Sequence, residues 1–283
     1  MIREDNDERE EQEERPKRPP RNRKSRRKRF KRRRRRRNPQ FLPVLIAVAL
    51  IVLIGGILVG KILYDKYSPS KELADTTEYF QLTDDQEIAI LYNNALLEDK
   101  GRLIDNRVYL DVETVYQYVN PRFYWDAKEN LYLYALPTEL VSVGVGSNEY
   151  TVSKAKQSED YIILRADGEH AFVALDFVNK YTNFTYEYWE DPNHVHIVSE
   201  FGNKDVVTAQ KKTQVRYQAG IKSPILTTTA KGTTMYVLEE SEDIGEWTKV
   251  LTKDGYIGYV RNKQISSVTQ ETVTEPEFSE PVY

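Results

Sequence analysis

From residue 41 to residue 60 the chain reads FLPVLIAVALIVLIGGILVG, twenty positions without a charge. A helix on the surface of a soluble protein needs a polar face opposite its apolar stripe, and this run has none. At about 1.5 Å of rise per residue, twenty residues reach roughly 30 Å, the thickness of a hydrocarbon core. Pro43 falls in the first turn, where its missing N–H costs little. Lys61 ends the run, and Tyr64 and Tyr67 follow at interfacial depth. The pattern predicts a transmembrane helix over 41–64 and a polar linker over 65–78. A signal h-region is typically about 7–15 residues long and is followed by a small-residue cleavage site. KILYDKYSPS offers no such site and no lipobox cysteine, so an uncleaved anchor is expected.

Beyond residue 78 the pattern changes to short apolar runs rich in Tyr, Val, Ile and Leu, broken by turn signals. EIAILYNNALLED (87–99) predicts a hairpin about Asn93-Asn94, since Asn tolerates positive φ. A helix capped by Thr83 and Gln86 is the alternative. RVYLDVETVYQYVN (107–120) starts as a strand, then places Val112, Val115, Tyr116 and Val119 at helical spacing. A short helix over about 111–119, stopped by Pro121, is expected.

This pattern recurs. VYLDVETVYQYVNPRFYWDAKENLYLY (108–134) aligns with AFVALDFVNKYTNFTYEYWEDPNHVHIV (171–198). Tyr109 matches Phe172, Leu110 matches Val173, Val112 matches Leu175 and Tyr118 matches Tyr181. After a one-residue insertion Trp125 matches Trp189, Leu131 matches Val195 and Leu133 matches Ile197. Each unit reads strand, short helix, strand, turn, strand. The agreeing positions are those a core needs, so Trp125 and Trp189 are assigned to packing over ligand stacking. The segment 141–173 reads as hairpins joining the two units in a shared sheet.

Charge adds sidedness. Residues 1–40 carry nineteen Lys/Arg against eight Asp/Glu, which leaves twenty-two basic and thirty-six acidic residues for the remainder. RNRKSRRKRFKRRRRRRN (21–38) borders the apolar run, and Lys/Arg beside a span mark the cytoplasmic side. The N-terminus is expected inside and the bulk outside the cell membrane. The basic segment 1–40 is read as disordered and in contact with anionic lipid. A salt-dependent nucleic-acid tail is the weaker alternative, and no nucleic-acid partner is expected. The absence of cysteine excludes disulfides, thiolate metal sites and a cysteine nucleophile.

Two resemblances follow from these residues. NRVYLDVETVYQYVNPRFYWDAKENLYLY resembles the copper amine oxidase N-terminal-like repeat of Gram-positive extracellular proteins, small α+β modules that often occur in tandem. The name implies no copper. TTTAKGTTMYVLEESEDIGEWTKVLTKDGYIGYVRNKQI (227–265) resembles a bacterial SH3 domain, through Lys231-Gly232, Trp247, Asp254-Gly255 and the closing GYV. That resemblance implies a small five-stranded barrel over 211–266 that binds cell-wall peptide or glycan. It makes Tyr236, Trp247, Tyr256 and Tyr259 candidates for the ligand cleft, with Tyr217 beside them. Trp247 and Tyr259 have a competing reading as barrel core.

The order anchor, paired repeats over 79–204, SH3 module and acidic Pro-containing linker over 267–283 is similar to the N-terminal half of clostridial cell-surface proteins. In those proteins a family-18 glycoside hydrolase domain comes next. Its acidic D-x-x-D-x-D-x-E motif does not occur in this sequence.

Little catalytic chemistry is legible. There is no Gly-x-Ser-x-Gly, P-loop or His-Glu-x-x-His pattern. His194-x-His196 could place two imidazoles on one strand face, with Glu190, Asp191 and His170 near them. The alignment puts both histidines at turn or exposed-strand positions, so no metal and no cofactor is expected. The sequence therefore reads as an α+β, mostly β chain: one transmembrane helix, two tandem α+β repeats and a C-terminal SH3-like β-barrel. The function read from it is membrane-anchored cell-wall binding or positioning without a catalytic centre. The alternative is the anchoring and targeting half of a family-18-type glycoside hydrolase.

Overall fold

The computed structural model describes residues 41–168, 170–239 and 244–281. The basic segment 1–40 lies outside them. The chain divides between Lys61 and Ile62 into two units. Helix α1 (Leu42–Tyr67) begins in the first, has a mean hydropathy of 3.1 over its apolar window, and buries none of its residues. Among the described residues it is the one helix long and apolar enough to cross a membrane.

The second unit is mostly β, with three sheets among its described residues. The first is built from β1 (Glu87–Tyr92), β2 (Ala95–Ile104), β3 (Arg107–Asp111), β9 (Leu164–Asp167), β10 (His170–Ala174), β11 (Thr185–Glu190) and β12 (Asn193–Val198). Their spatial order is β11-β12-β1-β2-β3-β10-β9. Local turns make the hairpins. Asn93, at φ 52°, joins β1 to β2. Asp105 and Asn106, at φ 52° and 60°, join β2 to β3 as the left-handed pair of a tight turn. The pairing of β1 with β12 is parallel and joins residues about a hundred positions apart in sequence, Ile90 opposite Val195.

The second sheet is an antiparallel meander of β4 (Phe123–Asp126), β5 (Leu131–Ala135), β6 (Leu140–Gly144), β7 (Glu149–Val152) and β8 (Ala155–Ser158). The third has the order β15-β14-β18-β17-β16-β13-β19. Its strands are β13 (Gly202–Thr208), β14 (Thr213–Arg216), β15 (Ile225–Thr229), β16 (Thr234–Val237), β17 (Trp247–Leu251), β18 (Ile257–Arg261) and β19 (Thr269–Val273).

The two aligned segments share an element order but are not separate modules. β3 leads into α3 (Val112–Thr114), which widens into a π turn over Val115–Val119, and then into β4 and β5. β10 leads into α4 (Leu175–Tyr181), then β11 and β12. The first strands pair with each other, Val173 opposite Leu110, while the two hairpins part. β4–β5 builds the second sheet and β11–β12 extends the first. The connecting segment 141–173 therefore spans both sheets instead of one. All of this closes over one core that includes Leu110, Phe123, Tyr134, Val173, Phe177, Tyr181 and Val195.

FYWDAKENLYLY (123–134) sits in that core. Phe123, Tyr132 and Tyr134 are buried, with Phe123 and Tyr134 ring centres 4.3 Å apart and Tyr134 and Tyr181 4.8 Å apart. Each such side chain contributes about 1.5–3 kcal/mol by burial, and ring pairs add roughly 0.5–1.5 kcal/mol. Trp125 packs half-buried against the same cluster.

The segments read as linkers are docked. Ala74 N–H donates to Ile225 O at 2.8 Å, and Ser70 N–H to Ile221 O at 2.7 Å. α2 (Thr76–Phe80) follows, its first turn capped by Asp75. At the other end β19 pairs with β13, and residues beyond it reach the core sheets. Asn183 Nδ2 donates to Glu275 at 2.6 Å, and Glu280 pairs with Arg122 at 3.1 Å and accepts from Tyr134 Oη. The reading of 267–283 as a free linker is corrected for residues 269–280. The acidic side chains that made it look solvated are partners for Arg122, Asn183 and Tyr134.

The two buried tyrosines of β5 separate packing from hydrogen bonding. The single proton of Tyr134 Oη is shared between Tyr181 O at 3.1 Å and the Glu280 carboxylate, whereas Tyr132 Oη is buried without a partner among the described residues. Tyr132→Phe is expected to leave the melting temperature unchanged or raised. Tyr134→Phe is expected to lower stability by about 1–2 kcal/mol, as removing a used hydroxyl does. Thermal unfolding of the detergent-solubilised protein checks the pair, and equal losses would contradict the assignment.

Candidate functional site

Strand register sorts the candidate aromatics. Trp247 pairs with Arg261, Lys249 with Tyr259, and Leu251 with both Ile257 and Tyr236. These side chains therefore lie on one face of β16–β17–β18, because side chains alternate along a strand. The opposite face carries Val250 and Val260, which join Val207, Val215, Met235 and Ile265 in the core of the third sheet. Trp247 and Tyr259 are half-buried and lie outside that cluster, so the barrel-core reading of these two is replaced by an outward-facing one. The Arg261 guanidinium lies 5.8 Å from the Trp247 ring centre and is held by Glu246 at 2.7 Å. This arrangement is a shallow aromatic surface edged by cations.

Gly258 makes the sheet possible. A side chain there would meet Arg216 O and Val215 Cγ1, each at 2.7 Å. Arg216 is buried, and burial pushes its pKa down. It keeps its donors satisfied through Ser223 O, Gln214 Oε1 at 2.6 Å and Ser70 O at 2.9 Å.

Tyr256 lies elsewhere. It is 8% exposed, with its ring 5.4 Å from Phe80 and 5.7 Å from His194, and burial raises its pKa. Its expected place in a surface cleft is corrected: Tyr256 belongs to the seam between the third sheet and the rest of the second unit. Tyr79 works beside it. Its hydroxyl donates to Ile257 O at 3.0 Å and accepts from Ile257 N–H at 2.9 Å, and burial pushes its pKa up to about 12. Tyr217 remains exposed and meets Tyr79 edge-on at 5.7 Å.

The histidines are also in the seam. His194 is 1% exposed and stacks with Phe80 at 4.5 Å and with Trp189 at 4.9 Å. Its Nδ1 lies 2.7 Å from Pro192 O and its Nε2 2.9 Å from Asp254 O, so both nitrogens face carbonyls. His196 is buried and donates Nε2–H to Asn93 O at 2.8 Å. The expected turn and exposed-strand positions are wrong, because the alternation of β12 cannot reveal that the third sheet covers it. Among the described residues no group of three or more His, Cys, Asp or Glu gathers at metal-binding distance.

Tyr236, on the outer face of β16, reaches a cleft of about 240 Å³ between the third sheet and β11–β12. The structure thus brings together Trp247, Tyr259 and Tyr236 on one face, and sends Tyr256 to the seam. Sequence reasoning weighed His196 only as a metal ligand and missed Glu187 and Lys253; all three line the cleft with Tyr236. The charge alternation of β11 and the apolar alternation of β12 were visible, but not the sheet opposite them.

Residues 211–266 match the family model described as Bacterial SH3 domain. They contain β14 to β18, with Trp247, Tyr256 and Tyr259 among them. This segment is a bacterial SH3 module, and the match covers about a fifth of the chain. A comparison with curated proteins gives no match, and a comparison with solved structures gives none.

Burial holds the pKa of His196 below its ordinary value near 6.5. The unfolded chain therefore takes up a proton near pH 6.5 that the folded protein refuses. Stability is full above that pH and falls as the pH drops below it. His196→Gln keeps an amide donor for Asn93 O and is expected to flatten this dependence between pH 7 and 5. Unfolding midpoints across that range check it, and an unchanged slope would remove His196 as the cause.

Proposed function

We propose that the chain is a membrane-anchored protein that holds its bacterial SH3 module against the cell wall, for binding or positioning. The observation that carries this reading is the bacterial SH3 match over 211–266, since such modules commonly bind cell-wall components. Helix α1 supplies the means of anchorage. The arginine-rich residues before it give the sidedness, N-terminus cytoplasmic and bulk extracellular, and a contact for anionic lipid. The outward face with Trp247, Tyr259 and Tyr236 is the surface that takes wall peptide or glycan. Half-buried aromatic rings beside Arg261 and Lys249 provide area at low entropic cost, together with charge-assisted donors. The acidic balance of the extracellular part keeps it soluble beside this surface. The resemblance of 108–198 to amine-oxidase-N-terminal-like repeats fits a structural role: these segments build the body that carries the SH3 module.

Two measurements test this. Detergent-solubilised protein should sediment saturably with isolated cell walls, and Trp247→Ala should weaken that roughly tenfold, as truncation of an aromatic anchor does. Soluble, folded protein that stays in the supernatant would end the wall reading. On intact cells, added protease should remove the chain beyond Tyr67, and protection of that part would reverse the orientation.

A further inference from the structure

We propose that the cleft between β11–β12 and the outer face of β16–β17 binds short peptides that carry both a free ammonium and a free carboxylate group. The proposal deepens the wall-binding reading, and rests on it for the source of such peptide ends. The site lies at the Tyr236 end of the face that carries Trp247 at its other end.

Four polar groups define the chemistry. His196 is buried to more than nine-tenths, and its Nε2–H is committed to Asn93 O at 2.8 Å. Its Nδ1 has no hydrogen-bond partner among the described residues, and the residue lines the cleft. Glu187 stands directly opposite His196 on the neighbouring strand, exposed and without an ion pair among the described residues. Lys253 lines the same cleft from the third sheet, also exposed and unpaired among the described residues. By contrast Lys204 is taken up by Glu200 at 3.0 Å. The Tyr236 hydroxyl has no partner there either. Val198 and Leu251 give the cleft its apolar lining.

The charges that line the cleft select its occupant. An anion alone would meet the Glu187 carboxylate, and a cation alone would meet the Lys253 ammonium. A neutral sugar would leave both charges unused. A peptide end satisfies them together, with ammonium or N–H at Glu187 and His196 Nδ1, carboxylate at Lys253, and a small side chain against Val198 and Tyr236. The volume of about 240 Å³ is below the roughly 300–1,000 Å³ of pockets for drug-sized ligands and suits one or two residues.

The test is calorimetric titration of the detergent-solubilised full chain with alanylalanine, its N-acetyl form and its C-terminal amide. Saturable binding of alanylalanine, weakened roughly tenfold or more by either cap, is expected for charge-assisted hydrogen bonds. Glu187→Gln should abolish the preference for the free amine, and Lys253→Gln the preference for the free carboxylate. Both positions are exposed, so the fold survives either change. No saturation, equal binding of the capped forms, or unchanged preferences in both variants would overturn the proposal. Wall sedimentation with the same preparation separates the two readings. Sedimentation without dipeptide binding overturns the cleft alone. Dipeptide binding without sedimentation upholds the cleft and counts against the wall.

Discussion

The second unit depends on one seam: a histidine held between two rings and covered by a glycine turn. His194 stacks with Phe80 and Trp189, and the Asp254-Gly255 turn of the SH3 module closes over its edge through Asp254 O. The contact is made by parts of the chain that each have another duty. Phe80 ends the short helix that follows α1, Trp189 closes the β11–β12 hairpin, and Gly255 sits in the turn between β17 and β18 of the SH3 module. Tyr79 adds a two-way hydrogen bond with Ile257, and Tyr256 fills the remaining apolar space. Aromatic side chains suit such a seam because they bury large areas with few rotatable bonds.

The two candidate surfaces follow from this placement. With the turn 253–256 fixed, the outer face of β16–β18 has one end against the body and one end free. The other end carries Trp247 with Arg261 beside its ring, the surface proposed for wall peptide or glycan. The held end closes with β11–β12 into the cleft of Tyr236, lined by Glu187 and Lys253, the site proposed for a peptide terminus. The two proposed sites thus share one face of one sheet, Trp247 at one end and the cleft of Tyr236 at the other.

The sequence disclosed what is local. The Asn93-Asn94 turn, the short helices after β3 and β10, the strands of the SH3 module and the long apolar helix were all visible in spacing and turn chemistry. The aligned copies pointed to Leu131 and Leu133 as the inward positions of β5, whereas the structure buries Tyr132 and Tyr134 as well, so the faces of that strand were not legible. What stayed hidden is non-local. Nothing in EIAILY says that it will pair in parallel with NHVHIV, and nothing in β12 says that another sheet will bury His194 and His196. The acidic tail misled for a related reason. Composition reports solvation only when no partner exists, and Arg122, Asn183 and Tyr134 are partners from more than ninety positions away.

Gly255 constrains which sequences can be built this way. It has a φ of 77°, and a side chain there would come within 2.9 Å of the His194 ring. A free-standing SH3 module asks for glycine at such a turn only for its backbone angle, and asparagine is a tolerable substitute. In this chain the substitute is closed off by the imidazole. Drift at position 255 is therefore tied to position 194, and a homologue that has lost the ring at one should have regained freedom at the other. Covariation of that pair among natural sequences would distinguish chains that dock the SH3 module from chains that merely carry it.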